Sequence, residues 1–391
     1  MTVLPPLIVM LLAGQAPVPL TDAVTGGRIA WFKSAHHETH HYYDISPWDP
    51  AGRRILYFRF DSAVDKLSAT GRYPGGLWIR DSEGGRERLV AGGLQGHYHV
   101  GVNQFWGPGG ESVYYTQQGR TVRVELASGR QSTVSTPVPA NRLNPDYSAI
   151  SCVRGEEWGL YDVAGDKYRR LVTREQAIAL SPRSDLVRGV PSGLQNTRFS
   201  PDGRWILIVH VTREEFPRLV EMFAYDLREG KLKHLAANLH HPGWRPDSKA
   251  VLFVRRREHD NFQSLYEVDV ETGAERLLSG THHVPAGHPS YHPKKPHLIV
   301  TDCYGGPLGY GLAVLNTQTG ELKQLVTIPS GARPAKPADD RFPFRNWGLW
   351  MPQRPYLNEP RPVWNADGSR LLFTSEESGR MNLYVVDTSG L

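Results

Sequence analysis

The sequence predicts an all-β protein, a seven-bladed β-propeller whose ring is closed by an N-terminal strand completing the last blade. Three observations predict it. A frame of an aromatic residue followed by a turn recurs seven times along the 391 residues, a strand running into a Gly turn recurs seven times, and the N-terminal part carries one strand with no blade of its own. Repeats of about 40–50 residues with four short strands each are what propeller blades look like in sequence. With 39 Gly, 30 Pro and 17 Tyr the chain is also rich in turns and aromatics, as all-β proteins are.

The chain opens on "MTVLPPLIVMLLAGQAPVPL", apolar over residues 3–13, with Gly14 and Ala16 as small residues suited to a cleavage site. Residues 1–20 are expected to be a signal peptide or disordered leader, and 21–391 a single propeller. A periplasmic or secreted protein is the expectation, and an apolar leader on a cytoplasmic chain is the alternative. The apolar run is too short to span a bilayer comfortably, and no other segment is membrane-like.

Residues 21–32, "TDAVTGGRIAWF", hold a Gly turn and a strand with no preceding blade. Residues near 26–32 are therefore expected to supply the outer strand that the last blade lacks, since the chain stops at Leu391 where that strand should begin. Pairing the two edges removes templates for aggregation.

Residues 36–41, "HHETHH", spell the H-E-x-x-H pattern of zinc proteases. That pattern needs a helix, where four-residue spacing aims both imidazoles at one metal. Here Pro47 and Pro50 follow, and then "RRILYFRF", which reads as a strand. The stretch is expected to be extended, and the protease reading fails on context.

The frame itself appears as Trp48-Asp-Pro-Ala-Gly52, Trp106-Gly-Pro-Gly-Gly110, Phe199-Ser-Pro-Asp-Gly203 and Trp244-Arg-Pro-Asp-Ser248. It continues as Tyr291-His-Pro-Lys-Lys295 and Trp364-Asn-Ala-Asp-Gly368, with a weaker copy at Leu143. The strand-and-Gly-turn element reads "LWIRDSEGG", "VRVELASG", "GLYDVAG", "MFAYDLREG", "LYEVDVETG", "LAVLNTQTG" and "LYVVDTSG".

If the blades are equivalent, so are positions counted back from the aromatic. Three residues before it, where the first strand begins beside the axis, stand Ile45, Asn103, Ala140, Asn196, His241, His288 and Arg361. A ring of polar groups from different blades suits a polar ligand or metal, or simply channel water. His40, His41, His97, His99, His240 and His283 also precede first strands, which gathers them on one rim. The long insertion at 330–360 adds Arg341, Arg345, Trp347, Trp350 and Glu359. Trp and Arg together suit a sugar acid, the ring stacking on indole and the carboxylate forking onto guanidinium. The formal charge of +5 favours acidic partners, but the charges are dispersed and nothing points to nucleic acid. Cys152 and Cys303, far apart, support neither a disulfide framework nor a Cys-based zinc site.

With these residues in view, the chain resembles the oligogalacturonate lyases and, more broadly, TolB-like propellers. The likeness runs over most of the chain, in "DAVTGG" with "HHETHHYYDISPWDPAGRRILYF", in "HHPGWRPDSKAVLF", in "GHPSYHP" and in "RPVWNADGSRLLFTSEESGRMNLYVVD". The resemblance implies a lyase that cleaves pectin-derived oligogalacturonides by β-elimination. It also implies a divalent metal ion of the manganese or calcium type, with His288 as ligand. Where the family has three further ligands, this chain has Tyr356, Glu359 and Arg361. Glu359 can still coordinate, whereas Arg361 cannot and is expected to neutralise the uronate carboxylate. Proton transfer falls to Arg218 or His241, and substrate contacts to His41, Asn103, Asn196, Arg345, Trp350 and Arg361. The competing reading is a non-catalytic TolB-like propeller that binds a protein or glycan on its His-rich face. Another hydrolase or lyase on the same scaffold is a third.

Overall fold

The computed structural model describes residues 11–391 apart from 14, 63, 65–70, 136–141, 147, 164–166, 189, 213–219, 257–262, 281–286, 305–309, 328–358 and 377. The described strands form seven sheets, five of which follow the chain order strand by strand, and the protein is a seven-bladed β-propeller. Blade one runs through Glu38–Thr39, Arg54–Phe60, Arg72–Asp81 and Arg86–His97, and Leu11–Ala13 pairs along its outer edge. Blade four, a contiguous example, comprises Ser192–Phe199, Trp205–Thr212, Val220–Asp226 and Lys231–Ala237. The chain divides into two compact units, one holding blades one, two, six and seven and the other blades three, four and five.

The repeated frame has a physical reason at each position. The indole N–H of Trp106 donates to the Pro47 carbonyl at 2.8 Å, and that of Trp48 to Val363 at 3.3 Å. Trp364 reaches Ser290 at 3.4 Å, and in the other unit Trp244 reaches Arg198 at 3.1 Å. Each acceptor is the residue just before the frame aromatic of the preceding blade, so the Trp staples consecutive inner strands in one register. A buried bond of this kind contributes about 1 kcal/mol, beyond the area the ring removes from water. Four residues after the aromatic the backbone turns left-handed, with φ of 67° at Gly52, 74° at Gly110, 72° at Gly203, 64° at Ser248 and 79° at Gly368. Three residues before it, Asn103, His241 and Arg361 share φ of 54°, 51° and 48°. Equivalence of the blades is thus written in the dihedrals. Buried clusters fill the spaces between neighbouring sheets, among them Leu207, Val209, Val251 and Phe253 between blades four and five.

Blade seven is composite, as the sequence leads one to expect. Val363–Trp364, Arg370–Ser375 and Asn382–Asp387 come from the C-terminal part, and Arg28–Phe32 pairs antiparallel with the last of these, Ile29 opposite Val386. Val18–Thr21 adds a fifth strand outside it. Trp31 stacks on Tyr384 at 6.0 Å, and its indole donates to Asn382 Oδ1 at 3.1 Å. The turn before this strand is tied to blade six: Asp22 Oδ2 accepts from Thr327 N at 2.6 Å and from its hydroxyl at 2.7 Å. A Cβ on Gly27 would lie 2.6 Å from the Leu325 carbonyl oxygen, so only glycine lets the chain approach that closely.

The stretch that spells H-E-x-x-H is extended: Glu38–Thr39 is the inner strand of blade one. Glu38 is fully buried and held by Arg59 and Arg80, at 3.0 and 2.7 Å, so it activates no water. One departure from the expected all-β pattern is a pair of short helices, Arg174–Leu180 and Ser184–Val187, between blades three and four. Thr173 and Gln176 close a reciprocal capping box at the first. No helix among the described residues is long and apolar enough to cross a membrane.

Candidate functional site

In the unit of blades one, two, six and seven, the starts of the inner strands bring a buried charge cluster together. Its anchor is Asp302 on the strand Leu298–Tyr304, whose fully buried carboxylate lies under the start of blade six. It accepts from the His288 backbone N–H at 2.5 Å, from His288 Nδ1 at 3.0 Å and from the Arg361 N–H at 2.9 Å. One carboxylate therefore fixes the starts of blades six and seven together. Because Nδ1 donates to Asp302, the imidazole of His288 presents Nε2 as its acceptor. Tyr42 Oη lies 3.1 Å from that nitrogen and Glu359 Oε2 3.5 Å from it. His99 Nε2 stands 3.3 Å from the same Glu359 oxygen. The rings of Tyr42 and Tyr43 each pack 5.1 Å from the His288 ring.

Exposure grades across this cluster. The side chain of His288 is 1% exposed and that of Glu359 11%, whereas His99 reaches 22%. Tyr42 is half-buried too. The groups that can meet a ligand are therefore Tyr42 and His99, each tied to one member of the buried pair behind them.

Arg361 is the brace. Its residue is 1% exposed, in a left-handed conformation that a branched-out side chain rarely adopts. Its Nε donates to the Glu359 carbonyl at 3.1 Å and its Nη2 to Thr39 Oγ1 at 3.0 Å, while Nη1 donates to the His99 carbonyl. Its own carbonyl accepts from His40 Nε2 at 2.9 Å. Burial first, and then the charge of Arg361, push the His40 imidazolium well below its usual range, so His40 stays neutral. His97 is lowered by burial and then by Arg72 and Arg361. Tyr98 is raised by burial and then by the Glu359 carboxylate. Cys303 is pushed up to about 12 by burial and by Asp302, so it is no nucleophile.

The sequence-predicted residues are placed as follows. His288, Glu359 and Arg361 meet in this cluster. His41, 4% exposed, flanks it and accepts from the Tyr42 N–H through Nδ1. Asn103 lies half-buried at the start of blade two. His241 belongs to blade five, in the other unit, where a bulge interrupts the ladder between His240 and Gly243. Asn196 sits at the matching bulge of blade four, between Gln195 and Arg198. Arg218, Arg345 and Trp350 lie outside the described residues. The sequence reading passed over Asp302 and Tyr42. Asp302 did carry a signal, an acid inside an apolar run, "HLIVTDCY".

His288 and Glu359, given to a metal by the resemblance, do come together, but not as an open coordination shell. Tyr42 covers Nε2 of His288, Glu359 is shared between two imidazoles, and a fixed guanidinium is built into the same wall. Among the described residues no three His, Cys, Asp or Glu side chains converge on a point that could hold an ion. The donor set fits a hydrogen-bonded relay better than a resident divalent ion.

Comparison with known proteins agrees on fold. No family model and no curated protein matches the chain. Among solved structures it is similar to an oligogalacturonate lyase in complex with manganese, with a TM-score of 0.72, 16% identity and 97% of each chain covered. It is also similar to the oligogalacturonate lyase of Vibrio parahaemolyticus, with a TM-score of 0.70 and 13% identity over 97% of this chain and 98% of that one. The β-propeller domain of the trilobed protease from Pyrococcus furiosus matches with a TM-score of 0.53 and 11% identity, over 90% and 96% of the two chains. At such identities the likeness establishes the propeller fold alone.

Proposed function

We propose that this chain is a carbon–oxygen lyase that cleaves uronate-containing oligosaccharides by β-elimination at the rim built around His288. The observation that carries the reading is the line Asp302–His288–Tyr42, joined at 3.0 and 3.1 Å. A buried carboxylate orients an imidazole, and the imidazole accepts from a hydroxyl that a ligand can reach, the logic of a catalytic triad. As Tyr42 Oη takes the C5 proton, its own proton passes to His288 Nε2, and Asp302 stabilises the imidazolium. The C4–O4 bond breaks, the C4–C5 double bond forms, and His99, held by Glu359, protonates the departing oxygen. The proton gained by His288 then leaves to solvent and His99 takes one up from solvent, so the proton removed from C5 balances the one given to O4. Such chemistry needs the growing enolate charge met by cations. Arg361 fixes one in the wall, and Arg218 and Arg345 are proposed to grip the uronate carboxylate while Trp350 stacks on the ring. No step passes through a metal.

The acidic oligosaccharide fits the chain's net positive charge. Export belongs to the same proposal; a cut after Ala16 would remove Leu11–Ala13 from blade one but leave Val18–Thr21 on blade seven. The experiment is turnover of oligogalacturonate, followed as ultraviolet absorbance of the unsaturated product, with and without chelator. The expected result is product formation that survives the chelator. A second reading, a propeller that binds an acidic glycan without cleaving it, is favoured by the guanidinium of Arg361, which turns into its own wall. A uronate-dependent thermal shift without product would select that reading.

A further inference from the structure

Away from the rim, the seam where the closing strand of blade seven meets blade one holds a cavity of about 420 Å³ that the proposed reaction does not use. Its lining includes Phe32, Lys33, Arg59, Arg80, Arg86 and Arg380, five cations against the single carboxylate of Glu87. Two of the cations form a rigid wall. Arg80 lies over the rings of Tyr57 and Phe32 at 4.1 and 5.1 Å and binds Glu38 Oε1 and Oε2 at 2.7 and 2.8 Å. Arg59 joins Glu38 to Glu87, at 3.0 and 2.7 Å. That network of two guanidiniums and two carboxylates is balanced and mostly buried, so it shapes the wall without neutralising the mouth. Arg86 is offset by Asp81 at 2.9 Å. Lys33 and Arg380 have no carboxylate partner among the described residues, and the buried Nε of Arg80 has no partner among them either. The positive field shows on a neighbour: His37 is held below its usual range by burial and then by Arg380 and His36. Also in the lining, Gly84 and Gly85 turn with φ of 81° and 94°.

We propose that this cavity is a second binding site, for a small oxyanion carried by a sugar acid or a phosphate compound. The volume falls within the range of small-molecule pockets and holds about one or two sugar units. Two uncompensated cations at the mouth match one carboxylate or phosphate, and a guanidinium is a favoured partner of either group.

Calorimetric titration of the whole protein with galacturonate, inorganic phosphate and neutral galactose tests it. One or both anions bind the native protein, galactose does not, and the Lys33→Glu, Arg380→Glu pair weakens binding at least tenfold. Tighter binding of galacturonate assigns the site to sugar acids, and tighter binding of phosphate assigns it to phosphate compounds. Tyr42→Phe leaves this affinity unchanged, which separates the site from the rim and its fate from that of the lyase reading. Should the double variant not fold, Arg380→Gln still weakens binding several-fold. Native protein that takes up neither anion, or folded variants that bind as the native protein does, overturn the proposal.

Discussion

Two buried carboxylates in this molecule grip imidazoles, and they teach opposite lessons. In blade six Asp302 accepts from His288 Nδ1 and from two backbone N–H groups. In blade four Glu221 accepts from His234 Nε2 at 2.5 Å and is also paired with Arg183 at 2.5 Å. Both carboxylates are fully buried. At Glu221 burial raises the carboxyl, but the hydrogen bond from His234 and the guanidinium of Arg183 outweigh it and hold it below its ordinary range as a paired anion. That pair ties the helical insertion, through Arg183, to the strands of blade four. At Asp302 the carboxylate holds an imidazole whose far nitrogen meets a hydroxyl at the rim. The same residue types make a rivet in one place and, in the proposed reaction, a relay in the other.

Substitutions can break this contrast in order of size. Tyr42→Phe removes the hydroxyl that faces the ligand and keeps the ring; turnover of oligogalacturonate falls by about a thousandfold with the melting temperature unchanged. Glu221→Gln leaves Arg183 without its buried partner and lowers stability by about 3 kcal/mol in denaturant titration, with turnover per folded molecule as before. If turnover fell as far as in Tyr42→Phe, the two carboxylates would not differ in kind.

Smaller effects sharpen the picture of equivalent blades. Trp106→Phe and Trp244→Phe each forfeit one indole bond to the preceding blade, and each costs about 1 kcal/mol. Unequal losses would show that the frame does not do the same work in the two units.

The closing strand offers a test by pH. Burial raises the acid of Asp22, but the bonds from Thr327, Thr25 and Val24 outweigh it and hold the carboxyl below its ordinary range. A group depressed in the folded state contributes stability above its unfolded value and loses it as pH falls through the folded one. Amide exchange in Arg28–Phe32 should therefore quicken on acidification below the ordinary carboxylate range. In Asp22→Asn protection of these amides, taken relative to the free-chain exchange rate at each pH, should be low already at neutral pH and should not fall further with acid.

The fold was legible because its signals are local and repeated. An aromatic, a turn and a β-branched strand declare each blade wherever they occur, and the orphan "RIAWF" announced the composite blade before any contact was visible. The site was legible only in part. His288 and Arg361 could be gathered by counting back from the aromatic, a count that tracks a real dihedral at Arg361, and Glu359 by the long insertion and the family resemblance. What they do could not be read, because it depends on Asp302, on the next strand of the same blade, and on Tyr42, just past the inner strand Glu38–Thr39 of blade one, which meet His288 only in space. Arg361 was expected to face a substrate; its position in the repeat is silent on whether a guanidinium turns outward or closes on Thr39 and His99. The helices at 174–187 escaped for a different reason. A seven-residue helix carries little periodicity, and its one strong mark, the capping box of Thr173 and Gln176, is easily lost in a chain of strands.

The most direct test of the relay is Asp302→Asn. An amide there keeps the shape and can still accept from one of the two backbone N–H groups, while removing the charge that sets the tautomer of His288. Folded Asp302→Asn protein should form unsaturated product from oligogalacturonate about 10⁴-fold more slowly than the native chain. Turnover within a few-fold of native would contradict the account.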